Sequence, residues 1–235
     1  MTRSRPDGGD EEPPQDQARS GTPSRDAYDL VAHLRRHATD DERVLEAILH
    51  TPREQFVPAT RRPWAYEDRP LPIGAGQTIS QPTIVAIMTA ALALEDDARV
   101  LEIGTGSAYQ AAILARLCRE LVTLEAVPEL EASARERLRT LGFRNVTVLP
   151  AGDDIGAPDL GPYDAILVTA ASPAVPAPLL DQLAPGGRLV IPVGDRDGQQ
   201  LLRITLTADG GRIEEDLGAC RFVPLVGPYG FADPD

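Results

Sequence analysis

Val100-Leu-Glu-Ile-Gly-Thr-Gly-Ser-Ala-Tyr109 is the stretch that decides the fold of this chain. Its first half, with Arg99 before it, is nearly continuous in apolar residues and reads as a buried strand. The strand runs into a turn holding Gly104 and Gly106, and SAYQAAILARLC (107–118) then reads as a helix. Glycines at such a turn allow backbone conformations barred to other residues and let a ligand approach the main chain. Beyond it the same alternation continues. LVTLEA (121–126) is a strand, PELEASARERLRTLG (128–142) a helix stopped by Gly142, and NVTVLPA (145–151) a strand. YDAILVTA (163–170) is a strand, PAPLLDQLAPGG (176–187) a short helix with a glycine stop, and GRLVIPVG (187–194) a strand. Apolar strands separated by helices predict an α/β fold: a mostly parallel, doubly wound sheet covered on both faces. Residues 199–226 change character. A hairpin around Asp209-Gly210-Gly211 is expected there, forming an antiparallel C-terminal edge.

Upstream of the decisive strand, Pro82 opens a helix over 83–94, proline being favoured in a first turn. Leu30, Val31 and Leu34, then Val44, Leu45, Ile48 and Leu49, have helical spacing. These predict an N-terminal helical extension, its second helix capped by Asp40 or Asp41. Residues 51–82 are crowded with Pro and Gly and read as loop. Phe56, Val57, Trp64, Tyr66, Leu71 and Ile73 predict that this loop is packed, with Trp64 and Tyr66 anchoring it. Residues 1–25 contain no Leu, Ile, Val or aromatic residue, so a disordered acidic tail is expected.

Composition narrows the chemistry. The chain has 235 residues with a formal net charge of −13, and all 23 of its basic residues are arginine. The absence of lysine excludes Schiff-base catalysis and a Walker-type phosphate loop. An acidic chain without a basic stripe argues against nucleic-acid partners. The apolar runs fall short of the ~20 residues a membrane helix needs, and no signal-peptide core is present. All three histidines, His33, His37 and His50, lie near the N-terminus, which disfavours a serine hydrolase of the usual chain order. Cys118 and Cys220 have no ligand-like neighbours, so no metal is expected. Two unpaired thiols fit a reducing, cytoplasmic location.

The glycine turn selects its ligand by charge. Glu125, 21 residues beyond Gly104, ends the next strand, where a carboxylate accepts hydrogen bonds from ribose hydroxyls. Dinucleotide sites use a third glycine to seat pyrophosphate on the helix start, but Tyr109 occupies that position here. Glu102, before the first glycine, would repel pyrophosphate and neutralise a cationic ligand, directly or through water. The pattern therefore favours S-adenosylmethionine, with its ammonium and sulfonium, over NAD. Asp153, after the third strand, can accept from an adenine amino group.

The string Leu71-Pro-Ile-Gly-Ala-Gly-Gln-Thr-Ile-Ser-Gln-Pro82 is more restrictive than a glycine turn. With Thr51-Pro-Arg-Glu-Gln-Phe-Val57, Leu101–Ser107, Tyr163–Ala170 and Arg221-Phe-Val-Pro-Leu225, it resembles the protein-L-isoaspartate (D-aspartate) O-methyltransferase family over about residues 28–225. The resemblance implies a Rossmann-like class I methyltransferase fold, S-adenosylmethionine as cofactor, and isoaspartyl-containing proteins and peptides as substrates of a repair reaction. It implies Ser80 as the active-site residue, with Gln77, Thr78, Ile79 and Val85 beside the cofactor. Glu102, Gly104, Gly106 and Ser107 match the methionine-end loop, Glu125 the ribose ligand and Asp153 the adenine-side acid. Val223, in the Arg-Phe-Val-Pro-Leu segment, matches the edge strand that pairs with a flexible substrate chain. A monomer is expected from the resemblance alone. The chain then divides into a tail (1–25), an N-terminal helical region with the substrate and cofactor loop (26–82), and a methyltransferase core (83–235).

Three positions depart from the family pattern: Ala108 and Asp154, each where glycine is common, and Ser172, which interrupts a usual Ala-Pro-Pro. A second role for Ser80 is to cap the helix beginning at Pro82. The alternative reading with the same chemistry is an aspartyl O-methyltransferase acting on a ribosomally made peptide. A nicotinamide oxidoreductase and a non-catalytic cofactor-binding regulator are the further alternatives.

Overall fold

The computed structural model describes residues 22–207 and 209–231. The tail expected over 1–25 falls outside the described residues as far as position 21. Helix α1 (Arg25–His37) begins three residues before Tyr28 because the Ser24 side chain accepts from the Ala27 N–H at 3.2 Å. Asp41 caps α2 (Glu42–Leu49) by accepting from Arg43 N and Val44 N. Both helices bury one stripe, Leu30, Val31 and Leu34 on the first and Val44, Leu45 and Ile48 on the second. These side chains belong to the same core cluster as Leu92, Val100, Leu167 and Val190.

Residues 51–82 contain more regular structure than the sequence predicts. Two short 3-10 turns (Arg53–Phe56 and Ala59–Trp64) precede a hairpin of β1 (Leu71–Gly74) and β2 (Gln77–Ile79). Its two-residue loop, Ala75-Gly76, has positive φ at both positions (50° and 70°), as a type I′ turn requires. Alanine in place of the usual Asn hid this turn from the sequence reading.

Helix α3 (Pro82–Leu92) starts at its proline and ends at Ala93, whose φ and ψ are 45° and 58°. An exposed alanine in this left-handed position lacks the freedom that makes glycine the preferred residue there. Ala93→Gly should therefore stabilise the fold by about 0.5–1 kcal/mol, the left-handed strain relieved less the entropy glycine adds to the unfolded chain. A rise of roughly 1–4 °C in Tm would be the readout; no rise, or a fall, would show that this strain is not present.

The main sheet has the order β5-β4-β3-β6-β7-β8-β9. Its strands are β3 (Arg99–Ile103), β4 (Glu120–Glu125), β5 (Val146–Pro150), β6 (Tyr163–Val168), β7 (Leu183–Gly194), β8 (Gln199–Leu206) and β9 (Arg212–Cys220). Strands β3 to β7 pair in parallel, while β7–β8 and β8–β9 are antiparallel. Helices α4 (Tyr109–Leu114) and α5 (Pro128–Thr140) connect the first three of these strands. Along α5, Leu130, Ala134 and Leu138 are buried at intervals of four, and Gly142 ends it at φ 85°. The chain steps outward from β3 to β4 and β5, then returns to place β6 on the other side of β3. That reversal opens a crevice at the carboxyl ends of the strands.

Two sequence expectations change. Helix α6 spans only Ala177–Leu180, and the Leu-Ala-Pro-Gly-Gly segment belongs to β7, with Leu183 paired to Tyr163. A Cβ on Gly187 would lie 2.8 Å from the Ala184 carbonyl and 3.1 Å from that of Tyr163, so this glycine permits a crowded strand irregularity. The Arg-Phe-Val-Pro-Leu segment is not a regular edge strand, because β9 ends at Cys220. Instead Ala171 N donates to Val223 O at 2.8 Å and Leu225 N to Ala171 O at 2.7 Å, a single bridge. Pro224 has no N–H with which to extend a ladder.

Candidate active site

A cleft of about 1230 Å³, counting its open mouth, lies at the carboxyl ends of β3, β4 and β6. Five stretches build it: the β2–α3 junction (77–80 and 85), the glycine turn (103–107, 109 and 110), the ends of β4 and β5 (124–127 and 151–156), residues 169 and 170 after β6, and residues 223–229. Gln77, Thr78, Ile79, Ser80, Val85, Gly104, Gly106, Ser107, Glu125, Asp153 and Val223 all line it. The structure thus gathers every proposed site residue except Glu102.

Glu102 does not face the cleft. It is fully buried in β3, and its Oε2 accepts from the Thr123 hydroxyl at 2.5 Å. Thr123 in turn meets the Thr105 hydroxyl at 2.7 Å, and Thr105 does line the cleft. Burial pushes the Glu102 carboxyl up to about 8, so at neutral pH it is mostly protonated. Its Oε1 has no hydrogen-bond partner among the described residues. Glu102 thus meets the turn through a polar chain, Glu102–Thr123–Thr105, beneath it.

Glu125 organises that turn. Its two oxygens accept from Gly106 N at 2.6 Å and from Val127 N at 2.9 Å. Each oxygen keeps a lone pair for a ligand. Gly104 has φ 97°, and its N–H bonds the Leu124 carbonyl at 2.8 Å. Ala108, where glycine is common, is buried in a left-handed conformation with φ 67°. Asp154 also lines the cleft. Ser172 is buried, and its hydroxyl reaches the carbonyls of Ala174 at 2.7 Å and Tyr229 at 2.8 Å, tying residues 171–174 to the C-terminal rim.

Ser80 does not cap α3. Asp68 does so from a distance, its Oδ1 accepting from Thr83 N at 2.9 Å and its Oδ2 from the Thr83 hydroxyl at 2.8 Å. Gln81 and His33 complete this cluster at 3.0 and 3.2 Å. Burial alone would raise the Asp68 carboxyl, but these hydrogen bonds outweigh it and hold it below the usual range. The Ser80 carbonyl accepts from Arg53 at 2.7 Å. Its hydroxyl has no hydrogen-bond partner among the described residues and remains available at the cleft wall.

Other residues escaped the sequence reading. Thr169 packs its hydroxyl against Gly104, and Gln110 crosses to Thr89 at 2.9 Å. Val226, Pro228 and Tyr229 form an exposed rim. A signal for the rim was present in the aromatic and proline content just after Leu225. Trp64 and Tyr66 do not line the cleft; Tyr66 packs on the core and bonds Glu54, whereas Trp64 is exposed and does not anchor the loop as expected. Burial pushes the Cys118 thiol up to about 12 and the Cys220 thiol to about 11, so neither offers a thiolate. No group of metal-ligating side chains occurs among the described residues.

The lining decides which ligand fits. Glu125, Asp153 and Asp154 contribute carboxylates, and among the described residues no arginine, lysine or histidine lines the cleft. The Gly106 N–H is already taken by Glu125. Such a site suits a cationic nucleoside without phosphate and opposes pyrophosphate. A doubly wound sheet with this acid-lined cleft at its switch point fits an S-adenosylmethionine-dependent methyltransferase of class I.

The comparisons with known proteins name the particular family. The sequence model described as "Protein-L-isoaspartate(D-aspartate) O-methyltransferase (PCMT)" matches residues 25–229, and the chain belongs to that family. A protein-L-isoaspartate O-methyltransferase of Myxococcus xanthus is 55% identical over 198 residues, 83% of this chain and 93% of that protein. One from Methanoculleus marisnigri is 51% identical over 199 residues, covering 84% and 90%. A solved protein-L-isoaspartate O-methyltransferase aligns with TM-score 0.77 at 28% identity, covering 87% of this chain and 67% of that one. A solved Plasmodium falciparum β-aspartate methyltransferase in complex with S-adenosyl-L-homocysteine aligns with TM-score 0.74 at 26% identity, covering 85% and 98%.

Proposed function

We propose that this protein is a repair enzyme that methylates the free carboxylate of L-isoaspartyl residues, and of D-aspartyl residues, in damaged proteins. The observation that carries this reading is that the free Ser80 hydroxyl belongs to the same cleft as the carboxylates of Glu125, Asp153 and Asp154. When bound, S-adenosylmethionine supplies an electrophilic methyl group on a sulfonium. A substrate carboxylate, with a reference pKa near ~4, is already ionised at neutral pH and needs no general base. This agrees with a lining that has no histidine, lysine or thiolate.

The Ser80 hydroxyl donates a hydrogen bond to one carboxylate oxygen and so aims the other at the methyl group. Gly104, Gly106 and Ser107 receive the methionine end, with Gln77, Thr78, Ile79 and Val85 closing over it. Glu125 accepts from the ribose hydroxyls and Asp153 from the adenine amino group. Glu102 acts from below, through Thr123 and Thr105, on the shape of the turn. Val223 and the rim after it face the substrate chain. The methyl ester formed can then close to a succinimide without help, which opens a route back to normal aspartate.

Residues 26–82 supply the substrate side of this reading and 83–235 the methyltransferase core. Damaged isoaspartyl proteins are its partners, and we place it in the cytoplasm as a monomer. Among the described residues no helix is long and apolar enough to cross a membrane. Ser80→Ala provides the test. It should bind S-adenosylmethionine normally while turnover on an isoaspartyl peptide falls roughly tenfold to a hundredfold, as expected for a hydrogen bond to a charged group. Full turnover in this variant would remove Ser80 from the chemistry.

A further inference from the structure

Arg53 is fully buried, yet among the described residues it has no carboxylate within ion-pairing distance. Its guanidinium stays charged in a protein interior, so its burial carries a large desolvation penalty. What it holds there is specific. Nε donates to the Ala65 carbonyl at 2.8 Å and Nη2 to the Ser80 carbonyl at 2.7 Å. The guanidinium lies 4.7 Å from the centre of the Tyr109 ring, whose side chain supports its charge, and among the described residues Nη1 has no hydrogen-bond partner. Tyr109 opens α4 directly after the glycine turn and lines the cleft.

Ser80 itself lies between β2 and α3 and belongs to neither. The helix cap is supplied by Asp68 through Gln81 and Thr83, leaving the Ser80 main chain to be fixed by other means. A planar fork reaching two carbonyls from different segments while resting on an aromatic face is a task for arginine. A lysine, with a single ammonium, cannot reproduce it.

We propose that Arg53 is the positioning residue for Ser80: it clamps the serine's main chain against the wall formed by Tyr109 and so sets where the free hydroxyl points. It does not touch the substrate and acts only through Ser80. The inference rests on Ser80 engaging the substrate carboxylate.

The test is a double-mutant cycle in the full-length protein, with an isoaspartyl peptide and labelled S-adenosylmethionine. Arg53→Met should lower kcat/KM by roughly tenfold to a hundredfold, and by no more than Ser80→Ala does, the scale of a buried charge-assisted hydrogen bond. Cofactor affinity, measured by calorimetry, should stay within about threefold of wild type, because Arg53 does not line the cleft. Combining Arg53→Met with Ser80→Ala should cost no more than Ser80→Ala alone, since residues acting through one another are not additive. Additive losses, or an Arg53→Met enzyme with wild-type turnover, would overturn the proposal. If Arg53→Met does not fold, Arg53→Lys takes its place in the same cycle and is judged by the same additivity. Wild-type protein assayed in the same series separates the two readings. Its failure to methylate the peptide would refute the functional reading; normal wild-type turnover with additive variants would refute the role of Arg53 alone.

Discussion

Gly104→Ala should abolish cofactor binding and destabilise the fold by about 3 kcal/mol, summing left-handed backbone strain with overpacking. A Cβ at this position would sit 2.4 Å from the Thr169 hydroxyl oxygen. That hydroxyl cannot swing aside freely, because it serves the carbonyls of Ile103 at 3.0 Å and Gly104 at 2.6 Å. The φ of 97° is a second and independent obstacle. Both obstacles fall at the junction of β3, β6 and the cleft, so the strain is delivered to the methionine end of the site. Denaturant midpoints and a cofactor titration would measure the two effects. Adding Thr169→Ala should recover part of the stability by removing the clash, while the backbone strain remains. Wild-type cofactor affinity in Gly104→Ala would show that the turn does not hold the ligand.

Glu125→Ala should weaken cofactor binding by about 3 kcal/mol or more, roughly a hundredfold or greater. Two losses combine. The Gly106 and Val127 N–H groups lose the acceptor that fixes the turn, at 2.6 and 2.9 Å. The ribose hydroxyls lose a charged partner. Glu125→Gln keeps an acceptor for one of the two backbone groups and should fall between. Because the carboxylate is largely buried at the end of β4, the loss should exceed that of Asp153→Ala, whose side chain is exposed. Equal losses in these two variants would place the ribose elsewhere.

The parallel sheet was legible because buried strands leave apolar runs such as AILV at 165–168 and LVIPV at 189–193. Helix starts were legible where a cap or proline marks them, as at Asp41 and Pro82. Less legible were features fixed by distant partners. Asp68 caps α3 from 15 residues away, which no local pattern announces. Gly186-Gly187 reads locally as a helix stop, but pairing with β6 pulls it into a strand. Within the site, the glycine turn and the Gln-Thr-Ile-Ser segment declared themselves by residue type. The placement of Glu102 did not, because a carboxylate in a strand reads the same whether it faces a cleft or the core. Arg53 was quoted within a motif but carried no visible role until its two carbonyl partners came together.

Substrate choice is the centre of the account, and two synthetic peptides identical except for Asp or isoAsp at one position test it most directly. Each would be incubated with the protein and methyl-labelled S-adenosylmethionine, and base-labile methyl ester counted. Label on the isoAsp peptide alone is the predicted result. Label on the Asp peptide at a comparable rate, or on neither peptide while the cofactor still binds, would contradict it.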